Sequence, residues 1–231
     1  MIILQADSLT KSYGAIPALN NVSFTLETGK VTGLLGPNGS GKTTLLKIIA
    51  GLLTPTSGSI RIGGEDPGII TRQHVSFLPD TTFFPTWMKV QDAFELFEDF
   101  YDDFNIVKAS EMLKNLNIPE NMKLKKMSKG TLEKVQLITA MSREANLYCL
   151  DEPIGGVDPA TRDYILKTII SNYSDNAAVL ISTHLIADVE NVLDDVIFLQ
   201  GGAVTLHSSV DDIREKEGKS VDALFREVFA C

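Results

Sequence analysis

Cysteines, long apolar runs and basic side chains are all scarce in this sequence, and each scarcity excludes a class of protein. The 231 residues hold only two cysteines, too few for a disulfide framework, so we expect a reducing compartment. Cys149 is expected to be buried in a strand and Cys231 to be a free terminal thiol. No window approaches the ~20 apolar residues that span a bilayer. The first residues lack a basic region followed by an apolar run, so we expect neither a signal peptide nor a membrane span.

Basic residues are outnumbered by acidic ones, 21 to 30, which gives a formal net charge of −9. A protein that holds long stretches of nucleic acid needs clustered Lys and Arg to neutralise phosphates, so we expect no nucleic-acid partner. The apolar share of 44% and the charged share of 22% are typical of a soluble globular protein with a real core. Disordered, collagen-like and coiled-coil structures are thereby excluded.

Short apolar runs and helical patterns alternate along the chain, which is typical of an α/β protein. The predicted strands are Ile2–Ala6, Val22–Glu27, Val31–Leu35, Ser59–Ile62, Val75–Leu78, Leu147–Asp151, Ala178–Ser182, Asp195–Gln200 and Val204–His207. The predicted helices are Lys42–Leu53 (ended by Thr54-Pro55), Val90–Tyr101, Val107–Leu116, Lys129–Arg143, Pro159–Asn172, Leu185–Val192 and two more at the end of the chain. We expect a single domain, residues 1–231, with an α/β core over about 1–84 and 147–231 and a helical subdomain over about 85–146.

A glycine-rich loop between an apolar strand and an amphipathic helix has the sequence Gly36-Pro37-Asn38-Gly39-Ser40-Gly41-Lys42-Thr43. It matches the phosphate-loop pattern G-x-x-x-x-G-K-[ST]. Glycines let successive backbone N–H groups turn towards phosphate oxygens, and the following helix aims its positive N-terminus at them. We expect Lys42 to reach the β- and γ-phosphates and the Thr43 hydroxyl to bind Mg²⁺.

Two adjacent acids end the apolar strand that leads to Asp151 and Glu152. Carboxylates at the tip of a buried strand are costly unless a cation or a reaction uses them. We expect Asp151 to bind Mg²⁺, through water, and Glu152 to act on the attacking water. His184 follows another core strand and is placed to reach a γ-phosphate, although a lone histidine is more often a surface residue.

These residues, in this order, resemble the ATP-binding subunits of ABC transporters over essentially the whole chain. Tyr13 matches the aromatic that stacks on adenine, and Met127-Ser128-Lys129-Gly130-Thr131 stands where the family has its Leu-Ser-Gly-Gly-Gln signature. Gly156-Val157-Asp158-Pro159 resembles the D-loop, and His184 the switch histidine. The nucleotide-binding residues that the resemblance implies are Tyr13, Gly36, Asn38, Gly39, Ser40, Gly41, Lys42, Thr43, Thr44, Ser128 and Gly130.

The resemblance implies a P-loop NTPase (RecA-like) core with an antiparallel β subdomain and an inserted α-helical subdomain. It implies ATP and Mg²⁺ as cofactors, with Glu152, His184 and Lys42 as the catalytic residues. It also implies a head-to-tail dimer in which the signature of one subunit caps ATP held by the other. Ser128 is equally explained as a simple helix N-cap, and it can serve both purposes. The membrane partner would be a separate permease, which would hold the chain at the inner face of the cell membrane.

Three motifs depart from the family pattern: the signature, the Q-loop and the D-loop. The signature has Lys129 and Thr131 in place of Gly and Gln, and Ser-Lys-Gly resembles a branch of small bacterial exporters. Asp80 follows Leu78-Pro79 at the position of the Q-loop glutamine. Aspartate is shorter and acidic, so Asp80 is expected to bind Mg²⁺ or a water, with an altered link to the membrane partner. Val157 replaces the common Leu of the D-loop, a mild change.

Aromatic residues crowd the segment that follows Asp80. Residues 83–104 contain 8 of the chain's 17 aromatic residues. Phe94, Phe97 and Tyr101 have helical spacing and are expected to form a core face. Phe83, Phe84 and Trp87 lie where the family receives a helix of the membrane subunit, so exposed members would be anchors for it. The lysines at 123, 125, 126 and 129 are most simply a solvated face.

The sequence therefore predicts an ATP-hydrolysing subunit of a membrane exporter. One alternative is a soluble family member that acts on DNA or ribosomes, but such proteins would show long coiled coils, zinc cysteines or tandem cassettes. A second alternative is a cassette that binds ATP without turnover, and Glu152 with His184 argues against it.

Overall fold

The computed structural model describes residues 1–229, so the prediction for Cys231 lies outside the described residues. Its larger sheet has six strands in the order β5-β6-β7-β3-β8-β9. These strands are β3 (Val31–Leu35), β5 (Val75–Leu78), β6 (Leu147–Asp151), β7 (Ala178–Thr183), β8 (Asp195–Gln200) and β9 (Ala203–Ser209). The first five are parallel, and β9 returns antiparallel to β8 through a two-residue turn at Gly201-Gly202.

The central strands are buried along their whole length. Every residue of β3, β6 and β7 is buried, Cys149 among them as predicted. Such strands need apolar residues on both faces, which explains their continuous apolar sequences. Because the strands are parallel, their carboxyl ends meet at one edge of the sheet, where Leu35 pairs with Thr183 and Asp151 with Ser182.

A second, antiparallel sheet has three strands in the order β2-β1-β4. These are β1 (Ile2–Tyr13), β2 (Ile16–Glu27) and β4 (Ser57–Ile62). The predictions Ile2–Ala6 and Val22–Glu27 were therefore too short. The pairing of β1 and β2 continues to Tyr13 and Ile16 through irregularities in register, and Ser8 has a left-handed φ of 50°. These bulges interrupt the apolar alternation that marks a strand, which hid the outer halves of both strands.

Helices occupy most of the chain between β5 and β6. They are α3 (Val90–Phe100), α4 (Ile106–Asn115), a 3₁₀ turn (Leu124–Lys126) and α5 (Lys129–Met141). The predicted core face is confirmed, because Phe94 is 2% exposed and Phe97 and Tyr101 pack against the same core. The helix from Lys129 ends two residues before the predicted Arg143 because the chain turns there, and the carbonyl of Ser142 accepts a bond from the amide of Asn105.

The remaining helices are α1 (Lys42–Ile49), α2 (Ile69–His74), α6 (Pro159–Asn172), α7 (Ile186–Val189), α8 (Val210–Glu217) and α9 (Val221–Val228). The prediction Leu185–Val192 was too long, because α7 gives way to a 3₁₀ turn at Glu190–Val192. Helix α2 was not predicted, because only Thr71 among its residues is buried and its sequence therefore shows no apolar periodicity. Within residues 1–229, no helix has the length and apolar character needed to cross a bilayer.

The first helix ends at Ile49 rather than at Thr54-Pro55. Gly51 takes a left-handed φ of 67°, and its amide bonds the carbonyl of Ile48 while the amide of Leu52 bonds that of Lys47. This is a Schellman motif, in which a glycine closes the helix before any proline is reached. The prediction relied on proline and passed over the glycine.

We predict that Gly51→Ala lowers the free energy of unfolding by about 1–2 kcal/mol, the cost of a left-handed conformation for an L-residue. The added methyl would also lie 3.0 Å from Nε of Arg72. Gly68→Ala is the control, because Gly68 is extended at φ −168°. It should stay within about 0.5 kcal/mol of the wild type. Urea unfolding measures both variants, and equal losses would contradict the prediction.

Candidate nucleotide site

The glycine-rich loop packs closely between the end of β8 and the start of β2. A Cβ added at Gly36 would lie 2.3 Å from the carbonyl oxygen of Leu199, and one at Gly41 would lie 2.4 Å from that of Ala18. Only glycine permits such an approach of backbone to backbone. The amide of Gly202 in the β8–β9 turn also donates to the carbonyl of Ser40 at 3.0 Å, a usual length for such a hydrogen bond.

The loop borders a cleft of about 250 Å³. The residues that line it are Ala18, Asn38, Gly39, Ser40, Gly41, Lys42, Thr43, Thr44, Asp80 and Glu152. The structure thus brings the predicted loop residues from Asn38 to Thr44 together with the predicted metal ligand Asp80 and the predicted catalytic Glu152. Gly36 lies behind the cleft, where its carbonyl receives a bond from Lys42.

Lys42 is held at the centre of the loop. Its ammonium donates to the carbonyls of Gly36 at 2.8 Å and Pro37 at 3.2 Å, and lies 3.6 Å from Oε1 of Glu152. The side chain is only 6% exposed. The carbonyl partners and the nearby carboxylate hold the ammonium in place where Lys42 lines the cleft.

Asp151 is buried, and one of its oxygens lacks a partner. Ser182 donates to Oδ1, whereas Oδ2 has no hydrogen-bond partner among residues 1–229. Burial raises the pKa of Asp151, and hydrogen bonds from Ser182 and Thr43 lower it in part. A buried carboxylate oxygen without a partner, next to the Thr43 hydroxyl, is a donor set that suits Mg²⁺.

The described residues, 1–229, contain no cluster of three or more His, Cys, Asp or Glu side chains that could hold a metal by themselves.

Glu152 stands between a cation and an imidazole. Its Oε2 lies 3.0 Å from Nδ1 of His184, opposite the contact of Oε1 with Lys42. The backbone of Glu152 has a left-handed φ of 48°. Its amide bonds the carbonyl of Ser182 at 3.0 Å, which fixes the turn at the end of β6. A glutamate held in a strained conformation at a cleft points to a functional demand on the side chain.

A neighbouring cleft of about 290 Å³ lies between the end of β5 and α5. Asp80 and Glu152 line both clefts. Lys129 and Glu133 of α5 line the second one, and Lys129 Nζ lies 3.7 Å from Oε1 of Glu133. Asp80 therefore stands at the junction of the phosphate loop and the helical region.

Three predicted nucleotide-binding residues lie outside the cleft of their own chain. Ser128 caps α5, accepting a bond from the amide of Thr131 at 3.2 Å, and is exposed. Gly130 lies in the first turn of the same helix. Tyr13 is 51% exposed, with Nζ of Lys11 5.4 Å from the centre of its ring. The structure does not place these three residues with the phosphate loop.

Sequence analysis missed Ser182, which touches both acids of the site. It bonds Oδ1 of Asp151 and receives the amide of Glu152 on Oγ at 3.1 Å. The available signal was a run of polar residues, Ser182-Thr183-His184, at the end of an otherwise apolar strand. Only the register of β6 with β7 shows which carboxylate the serine meets.

The arrangement of a phosphate loop, a buried aspartate and a glutamate at adjacent strand ends defines an ATP-binding P-loop protein. The family model described as ABC transporter matches residues 19–155, more than half of the chain. The chain belongs to the ABC transporter family. The family, the fold class and the ATPase activity predicted from the sequence are thereby confirmed.

Known proteins resemble this chain over nearly its full length. It is 33% identical to the ABC-type transporter ATP-binding protein EcsA of Bacillus subtilis (strain 168), covering 97% of this chain and 94% of that protein. It is 31% identical to the tungstate uptake system ATP-binding protein TupC of Peptoclostridium acidaminophilum, covering 87% and 96%. A solved ATP-binding subunit of an ABC transporter has a TM-score of 0.87 at 29% identity, covering 98% of this chain and 99% of its own.

We predict that Glu152→Gly is more stable than Glu152→Ala by about 1–2 kcal/mol, because only glycine escapes the cost of the left-handed conformation. Both variants remove the contacts with Lys42 and His184, so their difference isolates the backbone strain at this position. Urea unfolding of the two proteins without nucleotide measures the difference. If the alanine variant is as stable as the glycine variant or more stable, the left-handed backbone at position 152 costs no free energy.

Proposed function

We propose that this chain is the ATP-hydrolysing subunit of a membrane exporter and that it works with a separate permease as a nucleotide-sandwich dimer. The observation that carries the proposal is the Glu152 carboxylate, which borders the phosphate cleft and contacts both Lys42 and His184. A cassette that only bound ATP would not need a strained glutamate at this place. The contact therefore favours turnover over a regulatory role without hydrolysis.

In the proposed reaction, Lys42 and the backbone amides of the loop bind the β- and γ-phosphates of ATP. Glu152 accepts a proton from the attacking water while the oxygen of that water forms a bond to the γ-phosphorus. The bond between the γ-phosphorus and the oxygen of the ADP leaving group breaks. His184 holds the carboxylate of Glu152 in place and contacts the γ-phosphate. Thr43, Asp151 and Asp80 would hold Mg²⁺, which when bound neutralises charge on the phosphates.

The exposed signature supports the dimer. Ser128 and Gly130 lie at the N-terminus of α5, where unpaired amides and the helix dipole favour an anion. They lie outside the phosphate cleft of their own chain. We propose that they meet the γ-phosphate of ATP bound to a second subunit, while Tyr13 stacks on the adenine of its own.

The proposed permease contact lies beside the second cleft. Trp87 is 69% exposed and Phe83 is 37% exposed, so both are available as anchors. Phe84 is only 5% exposed, so it is not among the anchors, a role that the sequence analysis gave to the exposed members alone. Its ring packs against Phe97 at 5.7 Å, inside the helical core. Docking of a permease here would place the chain at the inner face of the cell membrane.

Uptake is the second candidate for the transport direction. The similarity to TupC, an uptake-system protein by its name, extends over 87% of this chain and supports uptake. The Ser-Lys-Gly signature supports export. Direction is set by the permease, so co-purification of the permease and transport in vesicles would distinguish the two.

We predict that Glu152→Gln binds ATP with an unchanged dissociation constant but hydrolyses it at least ~10²-fold more slowly, because an amide cannot accept the proton from water. The variant should accumulate as an ATP-bound dimer in gel filtration. Glu111→Gln, an exposed change on α4, is the control and should retain full turnover. Wild-type turnover by Glu152→Gln would mean that another residue is the base.

We predict that Asp80→Gln leaves the basal ATPase of the isolated chain within a few-fold and changes mainly its stimulation by the permease. The longer amide restores the reach of the family's glutamine, while Thr43 and Asp151 remain as metal ligands. Steady-state kinetics with and without the permease test this. A loss of ~10²-fold or more in basal activity would instead make Asp80 part of the catalytic centre.

A further inference from the structure

Three chain segments that supply the site come together again at their other ends. The strand β5 leads to Asp80, β6 leads to Asp151 and Glu152, and α5 begins at the signature. The start of β5, the side chain of Tyr148 in β6 and the carboxyl end of α5 lie around one residue, Arg143. This side chain is 2% exposed and lies far from the phosphate loop in the fold.

The guanidinium of Arg143 is contacted at its edges by hydrogen-bond acceptors and on a face by an aromatic ring. Nε and Nη2 bond the two oxygens of Asp103 at 2.8 and 2.9 Å, a bidentate ion pair from the α3–α4 connection. Nη1 donates to the carbonyl of Val75, the first residue of β5, at 2.8 Å, and Nη2 donates to that of Gln73, near the end of α2, at 2.5 Å. The ring of Tyr101 covers the guanidinium at 3.8 Å.

The backbone around Arg143 adds the third segment. The hydroxyl of Tyr148 in β6 donates to the carbonyl of Arg143 at 2.6 Å. The amide of Glu144 donates to the carbonyl of Asp103 at 2.9 Å. Arg143 therefore contacts the start of β5, Tyr148 of β6 and the connection between α3 and α4, and it lies two residues beyond the end of α5.

A planar guanidinium fixes directions as well as distances. Its donors point along set lines in one plane, so the carbonyls of Gln73 and Val75 and the carboxylate of Asp103 must keep a fixed mutual orientation. An ammonium of the same charge bonds as a point and does not impose this geometry. The α5 helix has 13 residues and therefore spans ~20 Å, so a small change in angle at Arg143 moves the signature appreciably.

We propose that Arg143 is a positioning residue, which sets the angle between the signature helix and the two strands that carry Asp80, Asp151 and Glu152. It acts through α5, β5 and β6 and touches neither ATP nor the attacking water. The inference rests on the proposed sandwich dimer, because the angle of α5 affects turnover only where the signature of one subunit meets ATP on the other.

The test compares Arg143→Lys and Asp103→Asn with the control Asp102→Asn in the full-length chain. Asp102 is the exposed neighbour of Asp103 and has no part in the ion pair. We expect kcat to fall at least 10-fold in both test variants and to stay within 2-fold in the control. The dissociation constant of ATP for the monomer should stay within 2-fold in all three, because the phosphate loop is not in contact with Arg143. ATP-driven dimer formation in a Glu152→Gln background should weaken in parallel with kcat.

Two results would overturn the proposal. One is a kcat within 2-fold of the control in both folded test variants. The other is a parallel loss of ATP affinity and kcat, which would mean a general structural role. If Arg143→Lys fails to fold, Asp103→Asn alone decides, since it keeps the arginine and removes one charge. Turnover and ATP-driven dimerisation of the wild type test the proposed function separately, so failure of the two ideas is distinguishable.

Discussion

The parallel register of the central strands is the constraint on which the site depends. Leu35 pairs with Thr183, Asp151 with Ser182 and Leu78 with Leu150, so these strands end at nearly the same height. The residues that directly follow these strands are therefore neighbours in space, and no long loop is needed to bring them together. They include Gly36, Glu152 and His184.

The parts of the site that could be predicted from sequence are those specified locally. The phosphate loop and the acids at the end of β6 each lie within a few consecutive residues, whose chemistry is plain from their types. Arg143 could not be found in this way. Its partners Asp103, Gln73 and Val75 lie 40 to 70 residues away, and an arginine at the end of a predicted helix looks like a surface residue. Helix α2 and the outer halves of β1 and β2 could not be predicted for a related reason. Little of their surface is buried in a regular pattern.

The unusual residues of the signature are accommodated by contacts within the chain. The hydroxyl of Thr131 bonds that of Ser128 at 2.8 Å and so adds to the cap of α5. Lys129 extends over the D-loop, where a Cβ on Gly156 would lie 2.6 Å from its ammonium, and it approaches Glu133. A lysine at the start of a helix opposes the helix dipole unless an anion is near, so Glu133 offsets an unfavourable placement. The two departures thus have local partners of their own.

The position of β3 between β7 and β8 has a consequence for how the protein folds. The strand that carries the phosphate loop must wait for partners about 150 residues later in the chain, since Val31 pairs with Val179 and Thr32 with Asp195. The turn at Gly202, which bonds Ser40, is made later still. During synthesis, the loop would leave the ribosome long before the strands that hold it, so the part of the molecule most recognisable in sequence is among the last to become ordered. Such non-local pairing is slow to form, and until then the apolar strand Val31–Leu35 lacks the neighbours that cover it in the native sheet.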